Sequence, residues 1–412
     1  MHRRALLAAL ALPHYAAVGN SSVATSALAS SASAPAIPSK RGQAARSGQP
    51  LGATRTVTVS PSNLLAFPAD HGAHPSARIE WWYLTGWLQP ADAAVASGKP
   101  PNPEFGFQLT FFRSRTGIGE ESPSRFAPRQ LIFAHAAVSH CGEQRLRLDQ
   151  GIARAGFGIA EASEGDTQLR LRNWQLKRTD DLAQATPGAS VYRAQARGEE
   201  SNSRTSFSFD LSLRATQPLL RQGLAGYSRK GPSSEEASYY VTEPQLRAQG
   251  RLRWGERSVA VLGQAWLDHE WSDSLLAPDA VGWDWIGINL FDGSALTAFV
   301  IRRADGSVLY AGGSFRARRS AARNFSPTDI TWTPQRRWRS TATGASYPVE
   351  VSLRCPAGNF RLRALFDAQE LDTRRSTGAV YWEGLSELLS EAGDRLGLGY
   401  LEMTGYASPL RL

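Results

Sequence analysis

The chain has 412 residues, 42% of them hydrophobic and 20% charged, with a formal net charge of +9. That length exceeds one small core, and the composition is globular, which excludes a disordered or fibrous chain. The charge is mostly arginine dispersed through strand-like segments, with no basic helix, zinc-ligand spacing or base-stacking motif, so no nucleic-acid partner is expected.

Arg3 and Arg4 precede a short apolar run, Ala5 to Leu12, and Ser/Ala-rich sequence with small-residue exits follows. This pattern predicts a signal peptide over residues 1–36, compatible with twin-arginine export, and a periplasmic or secreted protein. No cysteine follows the run, which argues against a lipoprotein anchor, and no later stretch reaches the 18 apolar residues of a spanning helix. Residues 37–60, rich in Ser, Ala, Gly and Arg, read as a disordered linker. Asp70, His71 and His74 in DHGAHP are too loosely spaced, and in a loop, to argue for a metal site, so none is expected.

From Pro61 onward short alternating runs recur between turn signals, which predicts an all-β chain of barrels or sandwiches. One set of strands runs from 79–89 to 204–215. A second starts with separate strands at 237–243 and 246–254 and ends at 397–405. The one helical candidate is 386–391. An aromatic strand, a turn and an Arg-ending strand occur twice, from Trp81-Trp82-Tyr83-Leu84 to Arg113 and from Trp283-Asp284-Trp285-Ile286 to Arg303. Val380-Tyr381-Trp382-Glu383 echoes the pattern. The repetition predicts two similar β-domains that meet near 230–245.

The densest chemistry lies in 263–290. Alternation places Asp268 and Glu270 on one strand face, His269 and Trp271 on the other, and Trp283 with Trp285 opposite Asp284. An acid among indoles keeps its proton toward neutral pH, aromatic faces stabilise a cation, and an imidazole can handle a water proton. Asp268, His269, Glu270 and Asp284 are therefore the catalytic candidates. Glu80, Trp81, Trp82, Tyr83, Tyr239, Trp271, Trp283, Trp285 and Tyr381 are the ligand-binding ones. The bland alternatives are buried ion pairs for the acids and a satisfied core histidine for His269. Arg229 and Lys230, in GYSRKGP, read as a solvated linker or as a cationic lid over an acidic head group. Cys141 and Cys355 leave one disulfide open.

The runs FPADHGAHPSARIEWWYLTGWL (67–88), FGFQLTFFRSR (105–115), WLDHEWS (266–272), GWDWIGINL (282–290), LDTRRSTGAVYWEG (371–384) and GYLEMTGYA (399–407) resemble the AttH-like family. That family is similar to the carotenoid 1,2-hydratases, also called hydroxyneurosporene synthases. The resemblance implies two packed lipocalin-like (calycin-type) antiparallel β-barrels, here 61–235 and 236–412. It implies a hydrophobic, isoprenoid- or lipid-like ligand and no organic cofactor. It also implies service beside ABC-type export systems. His269-Glu270-Trp271 matches the His-x-Trp pattern of the hydratases. The expectation is an exported carrier of such a ligand, with a hydratase or cyclase working by acid–base chemistry as the rival.

Overall fold

In Ile79–Pro90, Trp82, Leu84 and Leu88 point one way while Trp81, Tyr83 and Trp87 point the other. With both faces apolar, such a strand needs cover on both sides. A computed structural model of the chain, describing residues 59–94, 101–182, 189–198, 206–274 and 276–410, supplies it with two barrel-like antiparallel sheets packed against each other. The expected leader over 1–36, and all of the expected linker except Val59 and Ser60 at its edge, lie outside the described residues.

The first sheet contains β1 (Ile79–Pro90), β2 (Phe105–Arg115), β3 (Gln130–His140), β4 (Arg145–Arg154), β5 (Ala160–Ala162), β6 (Gln168–Leu171) and β7 (Trp174–Asp180). It continues with β8 (Ser190–Gly198), β9 (Phe207–Arg214), β10 (Leu220–Arg221), β11 (Tyr227–Arg229), β12 (Ala237–Trp254) and β13 (Arg257–Ser272). The second holds β14 (Ala280–Leu290), β15 (Ala295–Arg303), β16 (Val308–Arg316), β17 (Arg323–Phe325) and β18 (Thr331–Arg339). Its remaining strands are β19 (Ser346–Cys355), β20 (Gly358–Ala364), β21 (Glu370–Asp372), β22 (Val380–Leu389) and β23 (Arg395–Met403). Strand order is β4-β3-β2-β1-β13-β12-β9-β8-β7-β6-β5 in the first and β17-β16-β15-β14-β23-β22-β20-β19-β18 in the second.

Three details differ from the sequence reading. The chain changes sheet between Ser272 and Ala280, so the expected boundary at 235/236 falls inside the first sheet. The cause is pairing: β12 and β13 bond to β9 and β1. The expected strands 237–243 and 246–254 are one strand, bent by a bulge between Glu243 and Leu246 where Gln245 takes φ 58°. Residues 386–389 of the expected helix belong to β22, held between β20 and β23 and buried throughout. Burial on both faces erased the alternation that marks a strand.

The interior of the first sheet is filled by Trp82, Leu84, Phe107, Leu109, Phe111 and Leu267 among others, and that of the second by Ile286, Ile288, Val351, Trp382 and Met403. A third cluster lies between the sheets and includes Tyr83, Trp87, Trp266, Trp285, Phe299, Leu385 and Tyr400. Cys141 and Cys355 are both free, so no bridge contributes.

Candidate active site between the sheets

The third cluster encloses polar chemistry. The register of β1 against β13 sets Tyr83 beside Asp268 and Trp81 beside Glu270, all facing the second sheet. From that sheet come Trp283 and Trp285 of β14, Tyr381 and Glu383 of β22, and Tyr400 and Glu402 of β23. Trp285 meets Tyr83 edge-on at 5.2 Å and Trp266 at 6.2 Å. Its indole N–H donates to the Tyr240 hydroxyl at 3.1 Å, and Tyr240 donates to Asp268 Oδ2 at 2.7 Å. Thr242 and the Trp266 indole donate to Asp268 Oδ1 at 2.6 and 2.9 Å.

Burial raises the Asp268 carboxyl to about 7, against the pull of these donors and with help from the charge of Glu270. Burial likewise raises Glu402 to about 7; the Trp283 indole steadies its charge, while Asp268 and Glu270 oppose it. Unlike Asp268, Glu402 keeps part of its surface accessible, as do Trp81 and Trp283. Burial, and then the charge of Glu402, holds Glu383 well above the usual carboxylate range. Glu383 Oε2 accepts from Gln108 of the first sheet at 2.7 Å. The Tyr83 hydroxyl lies near Glu383, yet neither that hydroxyl nor Glu383 Oε1 has a hydrogen-bond partner of acceptable geometry among the described residues. Buried polar atoms in this condition are rare in folded proteins. Beside this group Tyr381 bonds His135 Nδ1 at 2.9 Å, and His135 Nε2 bonds Ser376 at 2.9 Å. Burial pushes His135 down to about 3, so it is neutral.

Glu270 has a different part. Lys230 approaches its Oε1 at 2.9 Å, Ser238 donates to the same oxygen, and the ammonium lies over the rings of Tyr240 and Phe299 at 4.4 and 4.6 Å. Lys230 is 8% exposed, so it is a buried clasp between the sheets and not a solvated linker cation. Arg229 lies over Tyr310.

The sequence candidates separate into distinct places. Asp268, Glu270, Trp81, Tyr83, Trp283, Trp285 and Tyr381 gather between the sheets. His269 does not: alternation sends it to the inner side, where its Nε2 lies 2.9 Å from Glu80 Oε1 and its ring stacks on Trp82 at 4.5 Å. Glu80 is fully buried and also binds His74 Nδ1 at 2.7 Å and Arg113 Nε at 2.7 Å. His74 reaches Asp70 at 3.0 Å and stacks on Trp271 at 3.8 Å. Burial opposes charge on both partners, but the hydrogen bonds prevail, lowering Glu80 and raising His74. Donor atoms of His74, Glu80 and His269 lie within 4.8 Å of one another, close enough for one divalent ion. Arg113 on Glu80 and the ring bonds of His74 to two carboxylates already balance the charge with protons. Tyr239 is also at this end, over Trp271 with its hydroxyl 2.7 Å from Asn63 Nδ2. Asp284 points into the second sheet, bonded to Arg302 at 2.9 Å and Tyr406 at 3.0 Å, a buried ion pair remote from Asp268.

Sequence reasoning missed Glu402, Tyr240, Tyr400, Gln108 and the role of Glu383. Glu402 and Glu383 are single acids inside hydrophobic strands, GYLEM and VYWEG, and that isolation was the available signal.

The chain matches the AttH-like family model over residues 58–406, and it belongs to that family. A crystal structure of a putative AttH from Nitrosomonas europaea is similar at 42% identity, covering 85% of this chain and 99% of that one, with a TM-score of 0.73. Kievitone hydratase from Nectria haematococca shares the fold at 12% identity, over 86% of this chain and 96% of its own, with a TM-score of 0.56. Both support a lipocalin-like two-barrel architecture. Among curated proteins no sequence matches.

Proposed function

We propose that the protein binds an apolar, isoprenoid- or lipid-like molecule between its two sheets and adds or removes water there by acid–base catalysis. The observation that carries this reading is the convergence of Glu402, Asp268 and Glu383 in an aromatic enclosure where none of the three has an ion-pair partner among the described residues. A site built only to carry an apolar ligand gains nothing from acids whose burial costs several kcal/mol each when charged. The hydratase above shares only the fold at its level of identity, so the proposal rests on the site.

Two carboxyls at about 7 are each partly protonated at neutral pH, the condition under which one gives a proton and the other takes one. Accessible Glu402 delivers its proton to the alkene carbon. The tertiary cation that forms faces the rings of Trp81, Trp283 and Tyr83. Water attacks the cation and its proton passes to ionised Asp268; exchange with solvent then returns a proton to Glu402 and frees Asp268, and the reverse sequence removes water.

The test is incubation with acyclic isoprenoid alkenes and the matching tertiary alcohols in oxygen-18 water, followed by mass spectrometry. Label is expected in the tertiary hydroxyl. Glu402→Gln should reduce turnover by about 10²-fold or more while ligand quenching of tryptophan fluorescence persists. Ligand recovered unlabelled, with equal affinity for wild type and Glu402→Gln, identifies a carrier instead.

A further inference from the structure

Among the described residues, six of the eight exposed large hydrophobic side chains lie at one end of the first sheet: Leu64, Ile118, Phe126, Phe157, Ile159 and Leu224. The register fixes that end. Ile79 pairs with Ser114 and Ser272, Ser114 with Leu131, and Leu131 with Arg154, so the loops after β2 and β4 leave together. Tyr239, beside Trp271, brings Tyr227 and hence the Leu224 turn to the same end, and its hydroxyl holds Asn63 next to Leu64.

On the β2–β4 side these side chains form a built feature. Phe126, 68% exposed, stacks on Phe157, 46% exposed, at 5.2 Å. The Arg154 guanidinium lies 4.7 Å from the Phe157 ring and donates to the Phe126 carbonyl. Arg129 ties the loop by donating to the Gly119 carbonyl at 3.2 Å, which fixes Ile118 beside it. Phenylalanine pairs held open to water by an arginine strut are costly unless something apolar covers them. Arg125, Arg129, Arg154 and Arg172 belong to these loops and the adjoining turn, against Glu120 and Glu121; in the neighbouring hairpin Arg170 is paired with Glu161 and Asp166 with Arg178, and Glu164 leaves an excess of one positive charge. Trp81 and Glu270, at the site between the sheets, lie within a few residues of the same strand ends.

We infer that this rim is a docking surface for an anionic phospholipid bilayer. Apolar tips enter the acyl boundary, and the surplus of arginine meets the phosphate layer, the two contributions that drive peripheral binding. The bilayer then presents apolar molecules at the end of the sheet where the acids of the site are.

The test is flotation of the full chain with vesicles of phosphatidylcholine alone or mixed with phosphatidylglycerol. Wild type is expected to float with the anionic vesicles and to release with salt. Phe126→Ser with Phe157→Ser should weaken binding about tenfold. Arg154→Glu should weaken it and flatten the salt dependence. Equal melting temperatures confirm that the surface variants fold. Wild type failing to float, or the double variant floating as wild type does, overturns the inference. Concentration-dependent self-association that the double variant abolishes, without vesicle binding, also overturns it and assigns the rim to a second copy.

Discussion

Asp268 and Glu402, the two acids of the proposed reaction, share one physical property: each holds a proton at a pH where its unfolded counterpart has lost it. For Glu402 the window runs from the ordinary 4.5 to about 7. Inside it the folded chain binds more protons than the unfolded chain, so stability falls as pH rises through the window. Glu402→Gln removes that contribution. Its stability relative to wild type should be near zero around pH 4 and should grow to about 3 kcal/mol at most by pH 8. Urea unfolding at a series of pH values measures this, and parallel curves for the two proteins would contradict it. Glu80 has the opposite sign, because His269, His74 and Arg113 hold its folded carboxyl low, so its contribution is present above the ordinary value and is lost in acid. Glu80→Ala leaves Arg113 buried without its carboxylate and should cost about 3–5 kcal/mol at pH 7, seen in the same unfolding assay.

At the scale of elements, β14 shows how tightly the strands are matched. A Cβ on Gly287 would stand 2.4 Å from Trp285 and 2.8 Å from Trp266, so the glycine is the space in which the two indoles meet. Gly287→Ala should displace Trp285 from Tyr240, cost about 1–3 kcal/mol and shift tryptophan emission; an unchanged spectrum would show that the indoles are held by something else. Much of this level is legible in the sequence. Period two puts Asp268 with Glu270, His269 with Trp271, and Trp283 with Trp285, and the register bears out each pairing of faces. Strand neighbours are not legible in that way. Nothing local says that β1 lies beside β13, nearly two hundred residues later, and this pairing sends His269 to Glu80 and away from Asp268. Asp284 fails as a site residue for the same reason: its partner Arg302 follows in β15, and the pair closes the second interior. The two aromatic repeats share this device, since Glu80 of β1 bonds Arg113 of β2 as Asp284 of β14 bonds Arg302 of β15.

At the scale of the molecule, the two sheets share more than a boundary. The described residues from Val59 to Leu410 belong to one compact unit, and the cluster between the sheets draws Tyr83, Trp87 and Trp266 from one side and Trp285, Phe299 and Tyr400 from the other. Polar links cross the same surface: the Gln245 backbone N–H donates to Asn289 Oδ1 at 2.8 Å, the Asn289 side-chain amide donates to the Ala265 carbonyl at 3.0 Å, and Gln222 Oε1 accepts from the Ser314 hydroxyl at 2.7 Å. Parting the sheets would expose these indoles and strand buried amides at once, a cost that neither sheet can recover alone. The expected consequence is a single cooperative transition. Hydrogen exchange across a denaturant series should give β8, far along the first sheet, and β19, far along the second, the same midpoint. A chain ending after Ser272 should then fail to fold, because Tyr83, Trp87 and Trp266 would lose their cover. Two separated midpoints would show that each sheet is stable alone, and the acids between them would then sit at a hinge and not in a fixed site.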